Sequence, residues 1–519
     1  MSFQKLAPDI SRRAAHARFS SLLGGVDALQ VFGPVDAEIG GITTDSRLVH
    51  DRSLFVAVEG EHTDGHRYVQ EAIERGAAAV VVQERQYRQG LQAILSPAYV
   101  QHNMTTVAVV EDTRTAVAVL ADRFYGSPAS KLRFIGITGT NGKTTTAYLM
   151  RSVLERGGWK TGLIGTIAVC IGRKERPATF TTPPAEELHR LCAEMVAAGC
   201  TWVVMEVSSH ALALKRVHGL RFDAAMFTNL TQDHLDFHGT MEAYRDAKLD
   251  LFRLHLGGPG VFNRDDPSWS FMAAPVKGKR VTYGQDARST FRIRGVRATR
   301  GGTTVVLRYR GMEHEIRTRL IGSFNAYNLA AAFAAGVTIG MDPERVVEGL
   351  RRVRHVPGRF ERLASRDGVL AVVDYSHTPD ALEKAILSAR AFTAKGGRVL
   401  TVFGCGGDRD QAKRPLMGAV STRLSDYTVM TSDNPRNEDP ERILDDIARG
   451  IPCGAPVERI ADRRKAIERA LRFARPGDVV LVAGKGHETW QIRDGKRRHF
   501  DDREVIRRYF ERKRGGTAA

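Results

Sequence analysis

Cysteine is scarce in this sequence and never occurs in a closely spaced pair. The 519 residues contain five cysteines, which are widely separated and form no Cys-x-x-Cys motif. Neither a disulfide framework nor a cysteine zinc site is indicated, and a reducing compartment fits best. Long apolar runs are also missing, since residues 1–30 lack the apolar core of a signal peptide and no segment approaches the roughly 18 apolar residues of a membrane span. We therefore predict a cytoplasmic protein without a membrane partner.

Acidic residues are fewer than basic ones, 59 against 77, which leaves a formal net charge of +18. Such a charge fits either a nucleic-acid-binding protein or an enzyme whose substrates are anionic. Arg and Lys are spread along the whole chain, and the densest basic cluster, residues 493–514, is interrupted by acidic residues such as Asp494, Asp501 and Asp502. The distribution favours small anionic substrates and predicts no nucleic-acid partner.

Two short segments that contain glycine and proline, residues 125–128 and 356–359, divide the chain. They predict three domains, at residues 1–128, 129–356 and 357–519. In the middle domain, continuous apolar strands at 132–138, 201–207 and 223–230 and a helix at 143–156 are typical of a parallel sheet. In the last domain, predicted strands at 370–374, 398–404, 427–432 and 478–484 alternate with helices that begin near Pro379, Arg414, Pro440 and Arg463. We predict an α/β fold with a mixed N-terminal domain, a central parallel sheet of P-loop type and a doubly wound, Rossmann-like C-terminal domain.

The clearest chemical signal is the segment Gly-Thr-Asn-Gly-Lys-Thr at 139–144, which lies between a predicted strand and a predicted helix. Small residues before a helix N-terminus expose N–H groups that hold phosphates, and Lys143 and Thr144 would add a charge and a Mg²⁺-binding hydroxyl. The strict P-loop pattern requires glycine at position 137, where this chain has Ile137. The order of strand, loop and helix still predicts ATP binding, with Mg²⁺ near Thr144, Glu206 and His234.

Several segments read together resemble the Mur ligase superfamily over residues 40–495. They are TGTNGKT at 138–144, EVSSH at 206–210, TNLTQDHLD at 228–236, NAYN at 325–328, PGR at 357–359 and DYSHTP at 374–379. Three more resemble the branch that adds the third residue of the peptidoglycan stem peptide: TTP at 181–183, GCGGDRD at 404–410 and GKGHE at 484–488. The resemblance implies a monomeric enzyme that uses ATP to join a diamino acid to UDP-N-acetylmuramoyl-L-alanyl-D-glutamate through an acyl phosphate.

The resemblance also implies roles for individual residues. ATP would be held by Gly139, Thr140, Asn141, Gly142, Lys143, Thr144, Thr145, Asn328, Arg359 and Asp374. The UDP-muramoyl-peptide would be held by Ser46, His62, Thr63, Thr181, Thr182, Ser208 and Arg216, although the residues at 62 and 63 depart from the family pattern. The metal would be held by Thr144, Glu206, His234 and a CO₂-modified, carbamylated Lys248, and the catalytic residues would be Lys143, His234 and Lys248.

The segment Asp433-Asn434-Pro435-Arg436 resembles the family motif associated with meso-diaminopimelate. A planar guanidinium can hold the second carboxylate of this amino acid through two charge-assisted bonds. The implied acceptor residues are Arg409, Asp433, Asn434, Pro435, Arg436, Gly484 and Glu488. Three alternatives remain open: the same ligase with L-lysine or LL-diaminopimelate, a folylpolyglutamate-type ligase, and a nucleotide-binding regulatory module or inactive paralogue.

Overall fold

The molecule is built from three successive α/β domains, each with its own main sheet. The computed structural model describes residues 16–34, 36–60 and 63–515. Main sheets of five, eleven and six strands follow one another along the chain, so the predicted three-domain α/β fold class is confirmed. The boundaries at 128 and 356 remain a prediction.

The first domain is a mostly parallel sheet with helices packed against it. Its elements are β1 (Ala17–Arg18), α1 (Phe19–Leu23), β2 (Ala28–Phe32), β3 (Glu38–Ile39), β4 (Gly41–Thr43), β5 (Ser53–Val56), α2 (Val69–Glu74), β6 (Ala77–Gln83), α3 (Glu84–Gln86), α4 (Gln92–Ile94), α5 (Pro97–His102), β7 (Thr106–Val110) and α6 (Thr113–Phe124). The strand order is β2-β7-β6-β5-β4, with β2 antiparallel to β7 and the others parallel. The near-continuous apolar sequences of β6 and β7 follow from their burial beneath helices on both faces.

The central domain carries the longest sheet. Its elements are β8 (Arg133–Thr138), α7 (Lys143–Arg156), β9 (Thr161–Ile164), β10 (Ala168–Ile171), β11 (Lys174–Pro177), α8 (Ala185–Ala197), β12 (Trp202–Glu206), α9 (Ser209–Ala213), β13 (Ala224–Phe227), α10 (Leu235–His238), α11 (Met241–Asp250), β14 (Gly260–Asn263), α12 (Trp269–Ala273), β15 (Arg280–Gly284), β16 (Phe291–Thr299), β17 (Gly302–Tyr309), β18 (Met312–Thr318), α13 (Asn325–Thr338) and α14 (Pro343–Arg352). The strand order is β11-β10-β9-β12-β8-β13-β14-β15-β16-β17-β18.

The central sheet is mixed, whereas the sequence predicted a parallel one. The six consecutive strands β9, β12, β8, β13, β14 and β15 are parallel to one another, and they include the three predicted strands β8, β12 and β13. Antiparallel strands extend both edges, with β10 and β11 at one side and β17 and β18 at the other. The edge strand β18 alternates buried and exposed residues, so it lacks the continuous apolar signature of the parallel strands.

Strands β12, β8 and β13 lie side by side in the middle of this sheet. The carboxyl end of β8 leads into the phosphate-loop segment at 139–142, that of β12 into the residues after Glu206, and that of β13 into the segment that begins at Thr228. Helix α7 follows the loop, and the alanine-rich helix α13, buried over most of its length, packs against α7. Parallel topology therefore gathers these three polar segments at one edge of the sheet.

The C-terminal domain repeats this arrangement. Its elements are β19 (Glu361–Ala364), β20 (Leu370–Asp374), α15 (Pro379–Arg390), β21 (Val399–Phe403), α16 (Lys413–Leu424), β22 (Tyr427–Met430), α17 (Pro440–Ala448), β23 (Val457–Arg459), α18 (Arg463–Phe473), β24 (Val479–Ala483), β25 (Trp490–Arg493), β26 (Lys496–His499) and α19 (Asp502–Gly515). The main strand order is β19-β20-β24-β21-β22-β23, and β25 and β26 form a separate antiparallel hairpin. All four predicted strands and their helices are present, with ends that differ by at most two residues from the predicted ones.

Helix starts in this domain follow ordinary capping chemistry. Thr378, Asp439 and Asp462 each accept a backbone N–H in the first turn of α15, α17 and α18, and proline occupies the first position of α15 and α17. In the part of the chain that the structure describes, no helix is both long and apolar enough to cross a bilayer.

Candidate active site

The phosphate-loop segment at 139–142 adopts a conformation that requires its glycines. Gly139 and Gly142 have φ values of 141° and 87°, and a Cβ on Gly139 would lie 1.9 Å from Thr228 Oγ1. The Nζ atom of Lys143 donates to the carbonyls of Gly139 and Thr140 at 2.8 and 2.9 Å. The first turn of α7 thus presents its N–H groups and a lysine at the loop, as phosphate binding requires.

The segment after β13 holds the loop in place. Asn229 Oδ1 accepts the backbone N–H of Asn141 at 2.9 Å, and Asn229 Nδ2 donates to the Asn141 carbonyl at 3.0 Å. Thr228 Oγ1 donates to the same carbonyl at 2.7 Å. Thr140 is fixed by a bond from its hydroxyl to the Thr231 carbonyl at 3.0 Å. These contacts preorganise the loop before any ligand arrives.

Thr144 and Glu206 lie together next to the loop. Thr144 Oγ1 donates to Glu206 Oε2 at 2.9 Å, and Glu206 is almost completely buried at the end of β12. The backbone N–H and hydroxyl of Thr166 also donate to this carboxylate, at 2.8 and 3.0 Å. Burial lowers the pKa of Lys143 below its ordinary value, against the opposing charge of Glu206. A hydroxyl and a carboxylate side by side are suitable oxygen donors for Mg²⁺.

The predicted nucleotide residues from other elements border the same cavity, whose volume is about 830 Å³. Asn328 Oδ1 accepts the Thr146 hydroxyl at 3.3 Å, and a Cβ on Gly142 would lie 2.5 Å from it. Arg359 Nη2 donates to Thr144 Oγ1 at 2.8 Å. Asp374, at the end of β20, accepts the backbone N–H of Phe360 at 2.7 Å. The cavity therefore lies between the central and C-terminal domains.

Lys248 is buried behind the loop, with 1% of its surface exposed. Its Nζ donates to the Gly139 carbonyl at 3.1 Å and lies 4.2 Å from the centre of the Tyr244 ring. Burial, together with the charge of Lys143, holds the pKa of Lys248 well below its ordinary value. The amine therefore loses its proton more readily than an exposed lysine does.

His234 lies at the entrance to α10 in a left-handed conformation, with φ of 56°. Its Nε2 is 3.3 Å from Asp233 Oδ2, and burial lowers the pKa of His234 to about 2. Two residues of the C-terminal domain also contact the Asp233 carboxylate. His377 Nε2 lies 3.5 Å from Oδ2, and Lys413 Nζ lies 3.4 Å from Oδ1. Burial alone would raise the pKa of Asp233, but the bond from His377 and the charge of Lys413 hold it well below its usual range.

The four residues of the central domain that were predicted to hold the muramoyl-peptide form one cluster. Thr182 Oγ1 donates to the Glu206 carbonyl at 2.7 Å and accepts the backbone N–H of Ser208 at 3.1 Å. Arg216 Nη1 donates to the Thr182 carbonyl at 3.0 Å. The hydroxyls of Thr181 and Thr166 are 3.1 Å apart, which joins this cluster to the Glu206 carboxylate.

The residues predicted in the first domain lie elsewhere. Ser46 is buried in a short turn, and Thr63 Oγ1 lies 3.2 Å from Tyr68 OH. His62 lies outside the described residues. Neither Ser46 nor Thr63 borders the 830 Å³ cavity, so any substrate that contacts both regions has to be long. Thr44 joins the two domains by donating to Glu186 Oε1 at 2.6 Å.

The predicted acceptor residues meet at the carboxyl ends of β21, β22 and β24. Asn434 Nδ2 donates to Glu488 Oε2 at 2.8 Å, and Arg436 Nη1 donates to the Gly407 carbonyl at 2.6 Å. The backbone N–H of Gly407 donates to the Asn434 carbonyl at 2.9 Å, so the loop after β21 packs on the acceptor segment that includes Pro435. Gly484 has φ of 115°, and a Cβ there would lie 2.6 Å from Asp433 Oδ2.

Arg409 and Arg436 both approach Gly406, where a Cβ would lie 3.8 Å from Arg409 Cγ and 2.8 Å from Arg436 Nη1. Burial is the main reason that the pKa of Arg436 is lowered, and the charge of Arg409 acts in the same direction. The Arg436 guanidinium and the side-chain stem of Arg409 thus both lie beside Gly406, in the region where the sequence predicted binding of an amino acid with two carboxylates.

Models of three Mur ligase domains match successive parts of the chain. The "Mur ligase family, catalytic domain" matches residues 38–125, the "Mur ligase middle domain" residues 137–336, and the "Mur ligase, glutamate ligase domain" residues 358–486. The chain is also 44% identical over 515 residues to the UDP-N-acetylmuramoyl-L-alanyl-D-glutamate–2,6-diaminopimelate ligase of Chlorobaculum tepidum, covering 97% of this chain and 99% of that protein. The chain belongs to the Mur ligase family.

Other relatives of this Mur ligase carry the same activity in their names. The 2,6-diaminopimelate ligase of Parabacteroides distasonis is 42% identical over 493 residues, covering 94% of this chain and 98% of the relative. A solved structure of such a ligase is 30% identical with a TM-score of 0.65, covering 96% and 99% of the two chains. The folylpolyglutamate synthase of Mycobacterium tuberculosis shares the fold, with 20% identity and a TM-score of 0.60 over 72% of this chain and 92% of that one. The predicted family is thereby confirmed.

Sequence reasoning missed several polar residues of this Mur ligase site. Asp233, Lys413 and Lys485 are buried, and each contacts a predicted site residue or its neighbour. Thr166 and Gln491 contact Glu206 and Asp433 through bonds of 3.0 and 2.7 Å. The signal for two of them was present, because Asp233 and Lys485 fall inside quoted motifs. Gln491 and Thr166 belong to no recognised motif, so only their contacts in the folded chain identify them as residues of the site.

Proposed function

We propose that this protein adds meso-2,6-diaminopimelate to the D-glutamyl residue of UDP-N-acetylmuramoyl-L-alanyl-D-glutamate, with hydrolysis of ATP to ADP and phosphate. The observation that carries the proposal is the acceptor pocket, where Asn434 and Glu488 bond to each other and Arg436 contacts the loop after β21 at the strand ends of the C-terminal domain. The turn that leads to Glu488 packs at Gly486 against Tyr375, which borders the cavity of the phosphate loop. The names of relatives that are 40–44% identical over almost the whole chain support the same activity.

ATP makes the substrate carboxylate reactive. An oxygen of the D-glutamyl carboxylate attacks the γ-phosphorus and the bond to the β-phosphate oxygen breaks, which gives an acyl phosphate and ADP. Lys143 and the loop N–H groups would neutralise the charge that spreads over the transferring group. Asn328, Arg359 and Asp374 would hold the rest of the nucleotide, since they border the same cavity.

The oxygen donors Thr144 and Glu206 fit a Mg²⁺ ion that also takes phosphate oxygens and water, because Mg²⁺ is usually held by only one or two carboxylates. Among the described residues, no group of three His, Cys, Asp or Glu side chains is arranged to hold a metal alone. Bound Mg²⁺ would neutralise phosphate charge.

The buried Lys248 is suited to carbamylation. A neutral amine adds to CO₂ and loses a proton, so a carbamate forms and the neutral side chain becomes an anion. The lowered pKa of Lys248 reduces the cost of forming the neutral amine first. We propose that the resulting anionic oxygen, with His234, completes the metal surroundings near Thr144 and Glu206.

The second substrate arrives at the C-terminal domain. The uncharged amine of diaminopimelate attacks the acyl carbon, and phosphate leaves with its bonding electrons from a tetrahedral intermediate. Arg409, Asn434 and Arg436 would hold the amino acid, with Arg436 on the distal carboxylate, while Glu488 and the Gly484 backbone would meet the distal ammonium. Catalysis then consists largely of positioning three anionic substrates, for which a basic chain is suited.

The UDP-muramoyl-peptide would extend from the first domain to the cavity. Thr181, Thr182, Ser208 and Arg216 lie next to Glu206 and would hold its peptide end. Ser46 and Thr63, with His62, would hold the uridine end. We propose a monomeric cytoplasmic enzyme, since ATP and the nucleotide-linked substrate are small soluble molecules.

One assay tests the proposal. ADP release is measured with the UDP-muramoyl-dipeptide and, in turn, meso-diaminopimelate, LL-diaminopimelate, L-lysine and, with a folate substrate, L-glutamate. We expect turnover to be fastest with meso-diaminopimelate and to be lost in Arg436→Lys, because an ammonium cannot make the bidentate contact. The exposed Arg493→Lys is the matched control. Equal or faster turnover with lysine would contradict the acceptor assignment, and nucleotide binding without any turnover would support the regulatory alternative.

A further inference from the structure

Lys485 is a lysine with no exposed surface at the edge of the acceptor pocket. It follows β24 and lies in a tight turn closed by a bond from the Glu488 N–H to the Lys485 carbonyl at 2.9 Å. Its Nζ contacts Glu488 Oε2 at 2.8 Å and Asn434 Oδ1 at 3.1 Å. Both partners are residues assigned to the incoming amino acid, whereas Lys485 itself has no assigned role.

The three side chains form a closed triangle. Asn434 Nδ2 donates to the same Glu488 oxygen that Lys485 contacts, at 2.8 Å. The backbone N–H of Ile492, in β25, donates to Asn434 Oδ1 at 3.0 Å and so fixes the orientation of the Asn434 amide. Glu488 is thus not an isolated carboxylate, because one of its oxygens is already bonded to a buried cation and a buried amide.

The buried charges around the triangle are balanced. Arg436 and Lys485 contribute two positive charges, and Asp433 and Glu488 contribute two negative ones. Arg409 is not counted with them, because its side chain is exposed and its Nη1 donates to the Asp408 carbonyl at 2.8 Å. Asp433 Oδ2 is buried, has no hydrogen-bond partner among the described residues, and is the nearest atom to a Cβ built on Gly484. Without Lys485 the three remaining groups would carry a net charge of −1.

We infer that Lys485 is a positioning residue that sets the charge of the acceptor pocket and thereby selects an amino acid whose far end has no net charge. The inference rests on the proposed function. The far end of diaminopimelate carries one carboxylate and one ammonium, which sum to zero, whereas the far end of lysine carries an ammonium alone. A buried site disfavours an uncompensated charge, and Arg436 would repel the lone ammonium.

Replacing Lys485 should therefore change the choice of substrate more than the rate of the chemical step. In Lys485→Met the pocket gains a net negative charge that suits the lysine end. We expect the kcat/KM ratio of meso-diaminopimelate to lysine to fall by roughly 30-fold or more, the range seen when one member of a buried charge pair is removed. The change should be in KM, with kcat for diaminopimelate largely kept, because Lys485 contacts Asn434 and Glu488, which are assigned to binding the amino acid, and no residue assigned to the phosphate transfer.

The test measures kcat and KM for both amino acids in the full-length protein and in four variants, of which Lys485→Met is the first. Lys485→Gln is the second replacement, since it keeps an N–H donor but removes the charge. Lys496→Met removes an exposed lysine from the neighbouring hairpin and should leave the ratio unchanged. The double variant Lys485→Met with Glu488→Gln restores a net charge of zero, so its ratio should return toward that of the unaltered protein. Hydrogen exchange of β24 and α18, measured in parallel, shows that the C-terminal domain of each variant is folded.

The outcomes are distinct. An unaltered protein that uses neither amino acid refutes the proposed function. An unaltered protein that uses diaminopimelate, together with Lys485 variants that are folded and keep the original ratio, refutes the role of Lys485 alone. Equal losses with both amino acids that the double variant fails to reverse would assign Lys485 a purely structural role.

Discussion

Removing the charge of Asp502 should destabilise the C-terminal domain strongly. Asp502 and Arg463 form an ion pair between α18 and α19 in which neither side chain has any exposed surface. The pair is bidentate, with Nε–Oδ1 and Nη2–Oδ2 distances of 2.8 and 2.7 Å. In Asp502→Asn the shape is kept but the buried guanidinium loses its countercharge. Such a loss costs about 3–5 kcal/mol of unfolding free energy.

The matched control lies between the same two helices. Arg512 donates to Glu468 Oε1 at 2.5 Å, but the arginine side chain is 65% exposed. Pairs of this kind contribute about 0–1 kcal/mol, so Glu468→Ala should have little effect. The measurement is hydrogen exchange of α18 and α19 as a function of urea, because a three-domain protein does not unfold in one step.

The same substitution should weaken acceptor binding selectively. Arg463 also donates to the carbonyls of Ser432 and Ala483 at 3.3 and 3.0 Å, and these residues precede Asp433 and Gly484. We expect Asp502→Asn to raise KM for the amino acid more than it changes ATP affinity, because the phosphate loop and Lys143 lie in the central domain. A destabilisation below about 1 kcal/mol, indistinguishable from Glu468→Ala, would refute the reasoning about buried charge.

Two further predictions concern single ionisable groups. Lys248→Ala should abolish turnover, and short carboxylates should restore part of it by supplying the missing anionic oxygen; ¹³CO₂ labelling that shows no carbamate carbon in the unaltered protein would contradict this. Burial, with the charges of Arg359, Arg503 and Lys485, lowers the pKa of His487 to about 3, below its ordinary value of 6.5. As pH falls from 6.5 toward 3 the unfolded chain therefore binds a proton that the folded chain does not, and stability is lost. His487→Gln should flatten this part of the stability curve in thermal denaturation at stepped pH, and an unchanged slope would contradict the assignment.

Much of the fold follows from local sequence because parallel strands are apolar throughout and helices carry their own start signals. The helix at Lys143–Arg156 and the strand at Leu370–Asp374 have the predicted ends. The antiparallel edge strands of the central sheet were not predicted, since their alternating pattern, as in Met312–Thr318, depends on which face the rest of the domain covers. The local sequence alone does not predict which face of an edge strand is buried.

Motifs located most of the candidate site, but not the contacts that position it. The phosphate loop was evident from sequence, whereas its support by Asn229 connects residues 88 positions apart. The separation of Lys485 from Asn434 is 51 positions. The first contact forms because β8 and β13 end at one edge of the central sheet, and the second because β22 and β24 end at one edge of the C-terminal sheet. Both are ordinary hydrogen bonds, and it is the sheet topology that brings the two residues of each pair together.

The contacts between domains couple the two substrates of the proposed reaction. Asn141, in the phosphate loop, donates to Asp380 at the start of α15 at 2.9 Å, and Arg359 reaches Thr144 from the C-terminal domain. Asp233 binds Lys413 at the start of α16, just after the loop that carries Arg409. Phosphates bound at the loop therefore lie beside Asn141, Thr144 and their partners in the C-terminal domain, which are part of the same elements as the acceptor loops. Because these contacts connect the nucleotide region with the elements that carry the acceptor pocket, the geometry of attack depends on how the C-terminal domain docks, and not only on residues that touch the reacting atoms.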